Sequence, residues 1–464
     1  MPNGKQIPYA TQMDLAEIPN DLPLINKIKD LIYQKGPISL SEYWHLALLD
    51  EQHGYYMKND VISAKGDFIT SVEISQMFGE ILGIWTINTL QQIGAINLSN
   101  TNSDRDKKKF SLVEFGPGRG TLMSDIIRVL YQFNLLNGIE INLIEYSPYM
   151  RKLQQEKIIN QLQKYGIYMS YDYNEAKKSK VERFVSENKD IIMSIRWFKM
   201  YENMLFEDFG DLVMPQLDQK KQKSLKPIIV FAHEFFDALP AHQFVYQKGK
   251  GWCEKLVNIN YDSMKMKNFD WIHSDGPNEN VEKILQPKKT FANEKMKQII
   301  DGDQIEIQAK SPIIINSLSE LIQKTNGAIL SIDYGENQAF SNSFRGIRKH
   351  KFIKNEDILE YPGQIDLSAY VNFAHLAEAS QQVKGIKAYD IMTQGLFLES
   401  MGLNTRLEML CKNVNIQKKK ALEEEYYRLV SPEEMGGTYK VQYIGLQKNG
   451  EVFPFISNNQ QIYY

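Results

Sequence analysis

Apolar residues along the chain follow two rhythms, and the change between them comes near residue 110. From Leu22 onward, Leu24, Ile25, Ile28, Leu31 and Ile32 recur at helical spacing, and Trp44, Leu46, Leu48 and Leu49 repeat that pattern behind Ser39 or Ser41 as an N-cap. A third helix is predicted over roughly Ser71 to Ile93. Beyond Phe110 short apolar blocks alternate with helical stretches. Ser111 to Phe115 leads into a helix over Thr121 to Asn134, and Glu140 to Tyr146 into one over Pro148 to Lys164. This alternation predicts β-α-β units, a parallel sheet and an α/β fold. Ile228 to Ala232, Gln304 to Ile307 and Ala328 to Asp333 supply further strands, and Trp252 to Ile259 reads as an antiparallel one. From Asp366 to Val430 the pattern is mostly helical again, and its charged end, Lys418 to Arg428, reads as a solvated face.

Three segments follow from this pattern. Residues 1–20, polar and holding Pro2, Pro8 and Pro19, read as a tail. Residues 21–109 form an N-terminal helical arm, closed by the polar stretch Ser99 to Lys109. Residues 110–464 form the main domain, with a Lys- and Glu-rich insertion near 171–226 and a helical C-terminal region from about 366.

With 464 residues, 43% of them hydrophobic and 24% charged, the chain can bury a sizeable core, which excludes disorder as the whole answer. A formal charge of −3 gives no basis for a nucleic-acid coat. The two cysteines, Cys253 and Cys411, exclude a disulfide framework and a CxxC site. No apolar run reaches the ~18 residues of a membrane span. The first thirty residues carry Asp14, Glu17 and Asp21 but no arginine, unlike a transit peptide.

Chemistry concentrates at strand ends. Glu114-Phe115-Gly116-Pro117-Gly118-Arg119-Gly120-Thr121 runs from a strand through glycines into a helix. Such a turn lets backbone approach a ligand closely, and the helix start favours an anion. A dinucleotide fingerprint would need glycine where Thr121 stands, so the spacing argues against NAD. It suits S-adenosylmethionine, with another nucleotide or a structural turn as alternatives. Glu145 closes the next strand, where a carboxylate can accept both ribose hydroxyls. The block Phe231-Ala232-His233-Glu234-Phe235-Phe236-Asp237-Ala238-Leu239-Pro240 ends another strand. Glu234 and Asp237, three apart, share one side if the segment makes a helical turn, and a carboxylate pair can grip a guanidinium. A helix start rich in acids is the plainer alternative. Phe235 and Phe236 read as core or pocket wall. Asp333 and Tyr334 end a further strand, where they either line the same mouth or cap the next turn. The histidines show no metal-ligand spacing, so no metal is expected, and no GxSxG elbow is present.

These residues, taken together, resemble the MidA-type S-adenosylmethionine-dependent methyltransferases, which include the mitochondrial arginine methyltransferase that assists complex I assembly. The likeness runs through Gly54-Tyr55-Tyr56, Gly66 to Ser71, Glu73 to Glu80, Glu114 to Thr121 and His233 to Pro240. It continues in Asp333-Tyr334-Gly335, Phe344-Arg345-Gly346, Asp366 to Ala369, Gln394 to Leu398 and Met435-Gly436. The resemblance implies a class I, Rossmann-like, mostly parallel seven-stranded sheet, an arm closing over the cofactor, and extra C-terminal helices. It implies that Glu114, Gly116, Gly118, Gly120 and Glu145 hold S-adenosylmethionine, covered by Thr70, Ser71 and Gln76 from the arm. Glu234 and Asp237 would be the catalytic pair, with His233, Phe235, Phe236, Asp333 and Tyr334 around the substrate. The implied activity is symmetric dimethylation of an arginine on a complex I core subunit in the mitochondrial matrix. A catalytically silent assembly chaperone and a methyltransferase for another substrate are the alternatives. Val72, Ala309 and Asn372 depart from the family pattern, away from the glycine turn and from Glu234 and Asp237.

Overall fold

The computed structural model describes residues 8–16, 18–19, 22–58, 70–98, 110–173, 181–188, 190–209, 225–262, 264, 267–291, 298–450 and 452–456. The linker Ser99 to Lys109, the motif residues 66–69 and much of the insertion near 171–226 lie outside them.

At the centre is an eleven-stranded sheet. Its main strands are β1 (Ser111–Phe115), β2 (Glu140–Ile144), β3 (Met169–Tyr171), β4 (Glu182–Ser186), β5 (Ser194–Phe198), β6 (Ile228–His233), β7 (Ala328–Glu336), β8 (Ile386–Ala388) and β9 (Tyr439–Leu446). They lie in the order β8-β9-β7-β6-β1-β2-β5-β4-β3. Every residue of β1, β5 and β6 is buried, because helices cover both faces of a parallel sheet. Leu112, Ile141 and Ile229 face one core, whereas Val113 and Val230 face another.

The sheet is larger than the seven strands expected, and its main strands are parallel from β5 to β7. Both flanks are antiparallel: β9 and β8 on one side, the β4–β3 hairpin on the other. Part of the stretch read as an insertion thus builds sheet. The two-residue strands Val371–Asn372 and Met392–Thr393 complete the count.

A second, five-stranded antiparallel sheet joins Ile38–Ser39, His242–Gln247, Gly251–Ile259, Phe269–His273 and Gln304–Ile307. Gln304–Ile307 therefore belongs to this smaller lobe, since an apolar block does not announce which sheet it joins. Arg345–Arg348, Lys351–Ile353 and Asp366–Ser368 form a third sheet. The arm is divided between lobes. Helices α1 (Pro23–Lys35) and α2 (Leu40–Leu49) share a core with Val257, Phe269, Phe344 and Leu367. Leu15 and Ile18, within the stretch read as a tail, are buried in that core. Helix α3 (Gln76–Gln92) instead packs through Phe78, Leu82 and Trp85 onto the central sheet and α4 (Thr121–Gln132). The helix expected from Ser71 to Ile93 is broken at Ser75, whose backbone is extended and whose hydroxyl accepts the Met77 N–H at 3.3 Å. Helix α5 (Pro148–Gln163) covers β2, and α6 (Lys310–Thr325) lies on the opposite face.

Among the described residues no helix is long and apolar enough to cross a membrane, and no cluster of His, Cys, Asp and Glu could hold a metal.

Candidate active site

The glycine turn is fixed by backbone that side-chain-bearing residues resist. Gly116, Gly118 and Gly120 all have φ between 53° and 76°. The Gly116 N–H donates to the Ile144 carbonyl at 3.1 Å, and the Gly120 N–H to that of Pro117 at 2.8 Å. A Cβ at Gly120 would stand 3.2 Å from the Gln154 Cα, so this glycine serves the close approach of α5. Buried Gln154 then gathers three elements: its amide donates to the Gly118 carbonyl at 2.8 Å and to Glu145 Oε2 at 3.0 Å, and accepts from the Trp197 indole at 3.0 Å. No sequence motif pointed to Gln154, because its partners come from three separate segments.

Above this turn, at the carboxyl ends of β1, β2 and β6, lies a cavity of about 460 Å³, within the range of small-molecule sites. Thr70, Glu114, Gly116, Gly118, Glu145, His233, Glu234 and Phe235 line it. Glu114 is buried and its Oε2 has no partner; burial pushes its carboxyl up to about 8. Glu145 accepts the Ser147 N–H at 2.8 Å, yet burial still raises it to about 7. Tyr146, then Lys199, Met200 and Tyr201 after β5, extend the wall. Lys199 Nζ sits 4.3 Å over the Tyr146 ring. Leu48, Leu49 and Tyr56 from the arm close another side, and the Tyr56 hydroxyl donates to Asp366 at 2.7 Å.

The acidic segment is a turn and not a helix. Glu234 has φ 49°, its N–H donates to the Ile332 carbonyl at 2.9 Å, and its Oε1 accepts the Ser71 N–H at 3.1 Å. Burial first, then the charge of Asp237, raises its carboxyl to about 8. His233 Nε2 lies 3.3 Å from Glu234 Oε1, and burial lowers this imidazole to about 3, so it is neutral. Asp237 points elsewhere. It does not line the cavity, and its Oδ2 accepts from the Tyr334 hydroxyl. The expected pair on one side is therefore not formed, because the left-handed residue at 234 breaks helical geometry.

Asp333 holds the turn. Its Oδ2 accepts the N–H groups of Phe236 at 3.0 Å and Asp237 at 3.2 Å, and its Oδ1 that of Tyr334 at 2.9 Å. Burial and the carboxylates Asp237 and Glu234 push it well up. Asp333→Ala leaves three N–H groups without their acceptor and should lower stability by about 3 kcal/mol, read by denaturant unfolding. Phe236 and Tyr334 likewise adjoin the cavity without lining it. Ser71 does not line it either: its N–H donates to Glu234 and its hydroxyl to Gln394 at 3.0 Å. Gln76 is exposed, 3.4 Å from Glu80, in a separate groove with Thr121, Asp125 and Lys157, so it does not cover the cavity. The break at Ser75 turns it away.

Residues 81–392 match a family of S-adenosyl-L-methionine-dependent methyltransferases. The chain belongs to this family. The methyltransferase is 32% identical over 423 residues to the Danio rerio protein named "Protein arginine methyltransferase NDUFAF7, mitochondrial", covering 90% of this chain and 85% of that one. It is 31% identical to the Homo sapiens protein of the same name, over 90% and 83% of the two chains. In fold it resembles a COG1565 superfamily member from Burkholderia thailandensis solved with S-adenosyl-homocysteine bound, with a TM-score of 0.64, 19% identity and 95% of each chain covered. The methyltransferase's cofactor is S-adenosylmethionine, and the cavity's chemistry fits it: unpartnered Glu114 Oε2 suits an ammonium group, and Glu145 suits hydroxyls.

Proposed function

We propose that this methyltransferase is a protein arginine N-methyltransferase of the mitochondrial matrix, acting on a complex I core subunit by symmetric dimethylation and so supporting assembly of the complex. Relatives named as mitochondrial protein arginine methyltransferases, matched over 90% of the chain, support the arginine and the compartment. The observation that carries the chemistry is Glu234, a carboxylate with its side chain 8% exposed, at the wall of the cavity that the glycine turn opens.

When bound, S-adenosylmethionine supplies an electrophilic methyl group on a sulfonium. Glu114, the N–H groups of the glycine turn and Glu145 would hold its methionyl and ribose parts, with Tyr146, Met200 and Tyr201 beside the adenine. Thr70 would cover it from the arm. Glu234 would accept hydrogen bonds from the substrate guanidinium, localise its charge on the far nitrogens and hold the near one for in-line attack. Neutral His233 stays beside Glu234 without adding a second positive charge.

This arrangement has a pH signature. Glu234 titrates near 8 before a cation arrives, so below that pH the guanidinium must displace a proton to be gripped. kcat/KM should therefore climb as pH rises from about 6.5 and level off near 8, approaching tenfold per unit in the lower part. A flat profile across that range would remove Glu234 from the substrate.

The direct test is mass spectrometry of arginine methylation on complex I from cells with and without this protein. Loss of one dimethylated arginine from a core subunit, restored by the native chain, is the expected result. Unchanged methylation with failed assembly would instead favour the silent chaperone.

A further inference from the structure

Four carboxylates, Glu234, Asp237, Asp333 and Asp366, meet at the ends of β6 and β7, each with its side chain or whole residue less than one-tenth exposed. Burial and mutual repulsion hold Glu234 and Asp333 toward their neutral forms, so a nearby cation favours charge on the one acid it reaches. Arg345 stands beside this cluster, against Tyr334. Its guanidinium carbon lies 4.5 Å from the centre of the Tyr334 ring and 4.4 Å from that of Tyr370, in the corner that these two roughly perpendicular rings make. Its Nε–H donates to Ser368 at 3.2 Å. The Tyr334 hydroxyl, whose ring stacks on Arg345, donates to Asp237, and the positive charge of Arg345 opposes the effect of burial on that carboxyl. Asp237, Tyr334 and Arg345 thus form one chain of contacts behind the cavity wall.

We propose that Arg345 is a positioning residue that acts through Tyr334 as the internal counter-ion of Asp237 and leaves Glu234 as the carboxylate open to a substrate guanidinium. The inference rests on the arginine methyltransferase reading for its second half only. Groups facing the cluster come from every neighbouring element: Glu234 and Asp237 from the turn after β6, Asp333 and Tyr334 from β7, Tyr439 from β9, Asp366 and Tyr370 from the segment beyond Arg345, and Tyr56 from the arm. Among these groups Arg345 supplies the positive charge, which opposes the effect of burial on Asp237. A guanidinium packed against two aromatic rings is less hydrated than an ammonium, which is why lysine would not replace it fully.

The sign of the test follows from linkage. Asp237 titrates near 6, above its ordinary 3.8, so its ionisation removes stability as pH rises through that window. Without Arg345 the loss should continue to higher pH. The unfolding midpoint of Arg345→Met should therefore fall further below that of the native chain as pH rises from about 5 to 8, by a few degrees. In an Asp237→Asn background the same Arg345→Met change should lower the midpoint equally at every pH. A gap that ignores pH in both backgrounds overturns the counter-ion role and leaves Arg345 as packing. If Arg345→Met does not fold, Arg345→Lys replaces it, with a smaller gap of the same pH dependence expected.

The second half is read by transfer of labelled methyl groups into an arginine-containing peptide. Asp237→Asn should retain at least about tenfold more activity than Glu234→Gln. Equal collapse of the two would return Asp237 to the substrate and overturn this half. Calorimetric binding of S-adenosylhomocysteine by the native chain is measured alongside. Its absence would defeat the methyltransferase reading, while the midpoint series would still decide whether Arg345 pairs with Asp237.

Discussion

Glu234→Gln is expected to reduce methyl transfer about 100- to 1,000-fold while S-adenosylhomocysteine affinity stays within about threefold. The amide keeps the size of the side chain and an oxygen for the Ser71 N–H, so the local fold should survive. What it lacks is the negative charge that a buried guanidinium requires. An uncompensated cation in such a site costs several kcal/mol, which sets the size of the effect. Initial rates with an arginine peptide and calorimetry with S-adenosylhomocysteine check both parts. An equal loss of turnover and cofactor affinity would show that Glu234 belongs to the cofactor and not to the substrate.

Glu145→Ala should act in the opposite direction, weakening S-adenosylhomocysteine by about 10- to 100-fold, the value of one or two hydrogen bonds to a charged group. Part of this loss comes from the protein itself. Glu145 Oε2 is an acceptor of the Gln154 amide, which also donates to the Gly118 carbonyl, so removing it loosens the glycine turn. Because Glu145 titrates near 7, native affinity should also weaken as pH falls below that value, and the alanine variant should lose this dependence. Calorimetry from pH 6 to 8 reads both effects.

What could be read in advance was local in sequence. The glycine turn, the acid closing β2 and the His233 to Pro240 block each carry their meaning within ten residues, and four strands of the central sheet begin where their apolar blocks begin. What escaped lay beyond the motifs. Gln154, Tyr56 and Arg345 act through partners on other elements, from about ten to over 300 residues away, and nothing in their neighbours announces it. Arg345 stands within a family motif, and what gives it a role is its contact with Tyr334 and Tyr370. Direction was the other missing quantity. Asp237 reads as part of the cavity from its spacing along a helical turn and Gln76 from the family resemblance, and one left-handed residue and one extended serine turn them from it.

The backbone at Glu234 carries a conflict between folding and chemistry. A glycine would adopt its φ of 49° with little strain and would remove a buried acid, so on stability alone it is the better residue by about 1 kcal/mol or more. Selection for a sturdier protein would drift toward that replacement and extinguish the activity. Libraries screened only for heat resistance should therefore accumulate inactive chains changed at this one codon.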